Sequence, residues 1–418
     1  MRQKVRMTSP ASTDTHCCIA GGGPAGMMLG YLLARAGVPV VVLEKHDDFL
    51  RDFRGDTIHP STLQVIDEVG LLPKFERLPQ RKVQHLSVQI GDRLQPVIDF
   101  RGLKPFDYLA LVPQWDFLDL IADEGRTFPH FDLRMGHEAV GLIQENGQIT
   151  GLRVESPNGS SEIRAKVIVA CDGRNSTLRG AAGLEARDYG APMDALWFRL
   201  PRSNDGPEET FGILGKGHMM VLLNRTDYWQ AAYVVPKGSD VKLRSQPIES
   251  LGESVSQLAP FLTDAVKDLK SWDQVKTLQV RVARLEQWHQ PGLLLIGDAA
   301  HAMSPIGGVG INLAIQDAVA AANTLAPALR AGDPIDEELL HKVQLRRLPP
   351  TKMTQALQLQ IQKRVIANTL SQTGQPPTMP AILRFLLRFQ AVRRIPARII
   401  GYGFRQEHVQ TDNNSSVV

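Results

Sequence analysis

The stretch that most constrains this chain is Cys17–Lys45, CCIAGGGPAGMMLGYLLARAGVPVVVLEK. A short apolar run, Cys17 to Ala20, precedes Gly21, Gly23 and Gly26, which fill a G-x-G-x-x-G spacing. Pro24 suits the first helical turn, where a missing N–H costs nothing. Ala25, Met28, Leu29, Leu32, Leu33 and Ala36 then recur at helical period, and Gly37 is placed to end the helix. Val40 to Leu43 reads as a second buried strand, closed by Glu44 and Lys45. In such a unit the first glycine permits a tight turn, the second lets backbone approach a pyrophosphate, and the third lets helix pack on strand. The helix N-terminus faces phosphate charge, and the acid accepts from a ribose hydroxyl. The stretch therefore predicts a bound dinucleotide without saying which.

With 418 residues the chain has room for two or three packed units. Hydrophobic content is 43% and charged content 22%, the balance of a globular protein. A net charge of +3, with no basic block interleaved with aromatics, argues against a nucleic-acid partner. Cys17, Cys18 and Cys171 all lie in apolar, strand-like runs, so buried thiols in a reducing, cytoplasmic setting are expected, with no disulfide framework and no metal cluster. Residues 1–15 are polar, lack an apolar signal-peptide core and read as a disordered leader; residues 411–418 read as a disordered tail. No run approaches a transmembrane length.

Beyond Lys45, Arg54-Gly55-Asp56-Thr57-Ile58-His59 forms a charged segment just past the second strand, where Arg54 is a candidate to pair with a pyrophosphate, against the plainer reading of a solvated loop with an Arg–Asp pair. Pro60 opens a helix carrying Leu63, Ile66 and Val69, which Gly70 stops. Val83 to Ile90, with Leu86, Val88 and Ile90 on one face, and Pro96 to Phe100 give a hairpin signal. Gln114 to Ala122 reads as a helix. Asn146-Gly147 is the strongest hairpin turn in the chain, and Asn158-Gly159 is another. Ile163 to Cys171 is a strand ending in Asp172-Gly173-Arg174. From Met193 to about Val282 aromatic, alternating segments (Leu196–Leu200, Met219–Leu223, Trp229–Val235) and a helix over Val255–Leu269 predict an antiparallel sheet with a covering helix.

The last motif runs from Gly292 to Thr324. Leu293 to Ile296 is a buried strand, Gly297-Asp298-Ala299-Ala300-His301 follows at its carboxyl end, and Pro305 to Gly310 is a glycine loop leading into a long helix from Ile311. Ligands in α/β sheets sit beyond the carboxyl ends of the strands. A second helix N-terminus there offers backbone N–H groups to developing negative charge. Helices are expected over Glu337–Val365 and from Ala381 to about Val392.

Taken in order, GGGPAG with Glu44, ACDGRNSTLR, and LLIGDAAHAMSPIGGVGINLAIQDA resemble the single-component FAD-dependent aromatic hydroxylases related to p-hydroxybenzoate hydroxylase, over about Cys17 to Leu329. The resemblance implies an α/β fold: a Rossmann-like FAD-binding domain of the glutathione-reductase type, an inserted antiparallel-sheet substrate domain and C-terminal helices. It implies boundaries at 16–82, 108–190 and 285–329 for the FAD-binding domain, 83–107 and 191–284 for the substrate domain, and 330–410 for the helical region.

Position by position, the resemblance assigns Gly21, Gly23, Pro24, Ala25 and Gly26 to the FAD pyrophosphate, Glu44 and Lys45 to the adenosine ribose end, and Arg54 to the phosphates. It assigns Gln114 to a further FAD contact, Asp172 with Gly173 to cofactor positioning, and Asp298 to the ribityl chain. Pro305 is expected over the flavin edge, and Gly308, Gly310, Ile311 and Asn312 around its pyrimidine ring. Asp56, Thr57, His59 and Pro305 are candidates for bordering the reacting ring, and Arg199, His218 and Tyr233 are candidate substrate contacts, against the plainer reading of ordinary packing or surface placement. The implied chemistry is reduction of FAD by NADH or NADPH, addition of O2 at flavin C4a, and delivery of OH from the hydroperoxide to an aromatic or other electron-rich hydrophobic molecule. Two other readings share the fold: an isoprenoid- or quinone-type FAD reductase, and a non-catalytic flavin-binding regulator. The segment after Leu329 is too short and too helical for the extra thioredoxin-like domain of some relatives, and the halogenase signature Trp-x-Trp-x-Ile-Pro is not found. A monomer or homodimer is expected. The apolar, arginine-bearing segment 381–395 is a candidate for peripheral membrane contact, against the plainer reading of a helix packed on the body.

Overall fold

The computed structural model describes residues 12–50, 57–91, 93–203, 207–215, 217–371 and 379–413. Strand β1 (Ser12–Ala20) runs into the glycine turn, helix α1 (Pro24–Arg35) and strand β2 (Val40–Glu44). Gly37, at φ +81°, reverses the chain between them in a backbone region that β-carbons disfavour. Helix α2 (Pro60–Glu68) follows, and then a hairpin, β3 (His85–Ile90) and β4 (Arg93–Asp99), leaves the layer. Helix α3 (Gln114–Gly125) and strand β5 (Phe131–Met135) return to it. A hairpin, β6 (Glu138–Glu145) and β7 (Gln148–Ser156), turns through Asn146 and Gly147, both at positive φ, and leads into β8 (Gly159–Ala170). A short helix, α4 (Thr177–Ala181), closes this part.

The second layer is built from β9 (Met193–Pro201), β10 (Phe211–Leu214), β11 (Met219–Asn224) and β12 (Tyr228–Pro236), covered by α5 (Glu249–Leu258) and edged by β13 (Lys276–Leu278). The chain then re-enters the first layer with β14 (Leu293–Leu295) and helix α6 (Gly310–Ala331). Helices α7 (Glu337–Ile361), α8 (Ala381–Leu386) and α9 (Gln390–Tyr402) complete the described chain.

The first sheet has a parallel core in the order β14–β8–β1–β2–β5. Parallel strands buried on both faces read as unbroken apolar runs, which is why VVVL and LLLI carry no alternation. One face packs on α1, α2, α3 and α6 through residues such as Met28, Leu32, Leu63, Ile121 and Ile315; the other packs on the β6–β7 hairpin and Trp288. The second sheet has the order β13–β9–β12–β11–β10–β3–β4, with β10 parallel to β3, so the early hairpin joins the late strands.

Several expectations are corrected. Ser12–Thr15 extend β1, because the long strand β8 offers them Glu162–Ala165 as partners. The helix expected over Val255–Leu269 stops at Leu258. Pro260 forces Ala259 out of the helical region (φ −137°, ψ 82°), and short turns follow. In β3 it is Ser87, not the Leu86–Val88–Ile90 face, that is fully buried, donating to Glu209. The helix expected from Ala381 breaks at Leu387–Phe389, and Arg393 Nη1 donates to the carbonyls of Leu387 and Arg388 that the break leaves. Thr411, expected in the tail, accepts from Arg35 at 2.9 Å. All three cysteines are free thiols; burial pushes Cys17 and Cys171 well up and Cys18 up to about 12, so none is a ready nucleophile.

Candidate functional site

The β1–α1 turn is tight by necessity. Gly21 sits at φ +108°, and a β-carbon there would lie 2.4 Å from the Cys171 carbonyl oxygen. A β-carbon on Gly26 would lie 2.0 Å from the Gly21 carbonyl oxygen. Gly23 has nothing within 4 Å of where its β-carbon would be, so that side of the turn is open. Pro24 begins α1, which has no side-chain cap, and the N–H groups of Ala25 and Gly26 lie in its first turn.

Glu44 has a structural duty that spacing does not reveal. Its Oε2 accepts from Gly22 N at 3.0 Å and its Oε1 from His46 N at 3.1 Å, so the acid at the end of β2 braces the glycine turn. Lys45 is exposed, 3.7 Å from Glu138. Arg54 and Asp56 lie outside the described residues. Gln114 is the first residue of α3.

Asp172 abuts Gly21. Its Oδ2 accepts from Leu178 N at 3.1 Å, while its Oδ1 is buried with no partner among the described residues. A buried carboxylate oxygen left without a donor calls for one from a ligand or water. Asp298, a third exposed, faces Arg174 Nη2 at 3.4 Å. Gly297, just before it, packs so closely on α1 and α6 that a β-carbon would lie 3.2 Å from Ala25 Cβ and 3.4 Å from Ala314 Cβ. The three motifs, distant in sequence, thus meet at one edge of the parallel sheet.

Pro305 leads a turn through Gly307 and Gly308 into α6, whose N-terminus at Gly310 and Ile311 also lacks a side-chain cap. Asn312 is a four-way clamp. Its Oδ1 accepts from His59 N (2.9 Å) and Thr62 Oγ1 (2.7 Å), and its Nδ2 donates to the carbonyls of Thr57 (3.2 Å) and Gly308 (3.3 Å). With its side chain fully engaged, Asn312 holds the segment after β2 against the second glycine loop and has only its backbone N–H to offer a ring. His59 is completely buried, and its Nδ1 lies 2.7 Å from the Ile400 carbonyl, to which it donates. Its Nε2 has no partner among the described residues. Burial lowers its pKa to about 4, against the opposing carbonyls of Ile400 and Gly307, so the ring is neutral at pH 7.

Around the loop the surfaces are apolar. Ile306 packs with Met193, Val234 and Val280, and Ile400 with Leu223 and Phe100. A cavity of about 60 Å³ lies between the loop, α7 and α9, lined by Ile306, Val309, Leu313, Leu357 and Ile400; it has room for water but not for an aromatic substrate. The three candidate substrate contacts do not converge. Arg199 is exposed, over the Tyr228 ring at 5.0 Å, on the sheet face that carries Leu223. Tyr233 lies on the opposite face with Leu196 and Met220, under α5, and takes His218 with it as a hydrogen-bond partner.

Sequence reasoning missed a buried charge network behind the Gly-Asp loop. Asp317 on α6 accepts from Gly297 N (3.1 Å), His301 Nε2 (2.5 Å) and Arg347 Nε (2.9 Å). Arg347 also donates to Glu407, which accepts from Arg346 as well. Burial opposes ionisation of Asp317, and the charges of His301 and Arg347 outweigh it, so its carboxyl lies below the ordinary range. The only visible signal was an acid inside the apolar helical run AIQDAVAAA.

Two uncapped helix N-termini, a braced glycine turn, an orphaned Asp172 oxygen and an open glycine loop form a long groove of donors suited to a flavin dinucleotide, and they define a flavoprotein of the Rossmann-like class. The chain belongs to the family whose model is described as FAD binding domain, which matches residues 14–355, and it is an FAD-dependent monooxygenase. It is 31% identical over 403 residues to 6-methylpretetramide 4-monooxygenase of Streptomyces rimosus, covering 95% of this chain and 94% of that one. It is 26% identical over 330 residues to para-nitrophenol 4-monooxygenase of Pseudomonas sp. (strain WBC-3), covering 75% and 78%. Among solved structures, p-nitrophenol 4-monooxygenase PnpA of Pseudomonas putida DLL-E4 superposes with a TM-score of 0.76 at 20% identity, covering 94% of this chain and 99% of that one. No helix among the described residues is long and apolar enough to cross a membrane.

Proposed function

We propose that this protein hydroxylates an aromatic or similarly electron-rich hydrophobic molecule, consuming one NADH or NADPH, one proton and one O2 and releasing NAD(P)+ and water with the hydroxylated product. The observation that carries this reading is the uncapped N-terminus of α6 behind the Pro305–Gly310 loop, bordered by apolar side chains on both sides. FAD, when bound, would supply the O2-activating and oxygen-transfer chemistry. The chain's own work is positioning. The Gly21–Gly26 turn and the N-terminus of α1 would take the pyrophosphate, Asp298 would hold the ribityl chain, and the N–H groups of Gly310 and Ile311 would favour negative charge on the pyrimidine side of the reduced ring. Met193, Val234, Ile306 and Ile400 keep water away. Neutral His59, held by Asn312 and Ile400, borders this space through an Nε2 lone pair.

The test is oxygen uptake by purified, FAD-loaded protein with NADH or NADPH and a panel of phenols, quinones and fused-ring aromatics, starting with 6-methylpretetramide, the compound in the name of the 31%-identical relative. Product carrying one 18O atom from 18O2 supports the proposal. Nicotinamide oxidation with a reduced, unlabelled product overturns it in favour of a reductase. Protein that retains no flavin would overturn both.

A further inference from the structure

The C-terminal helices carry a surface that FAD binding does not use. Residues 381–402, which span α8 and α9, hold five Arg and no Asp or Glu, while the whole chain is only +3. Helix α8 buries none of its six residues. Ile382 is 73% exposed, Phe385 54% and Phe389 52%, and the two phenylalanine rings contact each other at 5.5 Å. Arg384, Arg388 and Arg398 are exposed and make no ion pair among the described residues.

The patch is held outward by the inner face of α9. Gly401 packs against Pro60 and Phe100, Tyr402 Oη bonds the Phe106 backbone, Arg394 donates to the Arg101 carbonyl, and Arg393 reaches Asp99. These contacts fix α9 on the body and leave its other face, with α8, facing solvent.

We propose that the α8–α9 face docks on an anionic lipid bilayer. Exposed Ile, Leu and Phe interleaved with arginine on short helices have the composition of an interfacial anchor: the apolar side chains enter the headgroup–acyl boundary and the guanidinium groups meet lipid phosphate. A second copy of this chain is a poor occupant, because a two-fold contact would set the same unpaired arginines against each other. The surface lies one helix from the site. The carbonyl of Ile400 on α9 receives the buried His59 ring, so a docked bilayer sits beside the loop where a hydrophobic substrate is processed.

The experiment is co-sedimentation of the full-length, FAD-loaded protein with vesicles of phosphatidylcholine alone or with phosphatidylglycerol added. Binding at least about tenfold stronger to the phosphatidylglycerol vesicles, weakened by salt, is expected. Two variants separate the contributions: R384Q/R388Q/R398Q loses the preference for anionic lipid, and F385S/F389S weakens binding to both vesicle types. All changed residues are exposed, and unchanged melting temperature and flavin content confirm folding. Equal or absent sedimentation with both vesicles overturns the proposal, as does a dimer in solution that F385S/F389S converts to monomer without any lipid binding by the parent.

Discussion

The Asp317 carboxylate receives Arg347 Nε at 2.9 Å, and neither side chain has any exposed surface. Asp317 also holds Gly297, the residue before Asp298, by its backbone N–H. A charge balance deep in the helical layer therefore sets the position of the Gly297–Asp298 loop proposed to hold the cofactor. Replacing Arg347 with Met leaves Asp317 and Glu407 buried without their shared cation, and a broken buried pair costs about 3–5 kcal/mol. Urea unfolding of Arg347→Met is expected to show a loss of that size. Because the folded Asp317 carboxyl lies below its ordinary value, the stability it contributes is complete above about pH 4 and is lost as pH falls through its lower folded value.

His59 acts in the window just above that one, also as pH falls. Folded, it holds a proton less well than the unfolded residue, whose value is 6.5. Stability is therefore full above pH 6.5 and declines as pH falls toward about 4, by up to about 3 kcal/mol from this residue. Thermal unfolding between pH 7.5 and 4.5 is expected to show the decline, and His59→Asn to flatten it.

Gly26→Ala places a β-carbon against the Gly21 carbonyl, which can be relieved only by moving α1 away from β1. The turn proposed to cradle the pyrophosphate opens as a result. The ratio of flavin to protein absorbance after gel filtration is expected to fall, with FAD affinity reduced roughly tenfold or more, about 1.4 kcal/mol.

Asn312→Asp retains the two acceptor contacts to His59 and Thr62 but turns the two donor contacts, to Thr57 and Gly308, into oxygen against oxygen. A loss of about 1–3 kcal/mol is expected from buried groups left unsatisfied. Chemical denaturation measures it, and flavin retention is expected to drop with it because Gly308 belongs to the loop.

Much of the first layer could be read directly. The glycine spacing, the apolar runs on either side and the Asn146-Gly147 turn are local signals, and local geometry answers them: β1, α1, β2 and the β6–β7 hairpin lie where expected. What could not be read depends on partners far along the chain. Glu44 as a brace for Gly22, Asn312 as a clamp on residues 57–62, and the Asp317–Arg347–Glu407 network join positions separated by 22 to about 250 residues. The short strand Phe211–Leu214 pairs in parallel with β3, more than 100 residues earlier, and four residues carry no periodicity to announce that. Tyr233 illustrates a different limit: alternation says that neighbours on β12 face opposite ways, but not which face meets the cofactor.

The strand order β14–β8–β1–β2–β5 has a consequence for the chain as it leaves the ribosome. Strand β1 is made first, yet its neighbour β8 arrives about 150 residues later, and β14, on the far side of β8, more than 120 residues after that. Until then a nascent chain presents apolar strand edges with unpaired N–H and carbonyl groups, the kind of surface that recruits chaperones or aggregates. Synthesis that pauses before Leu295 leaves the proposed nucleotide groove without its Gly-Asp wall, so a complete groove must wait for β14 and the loop after it.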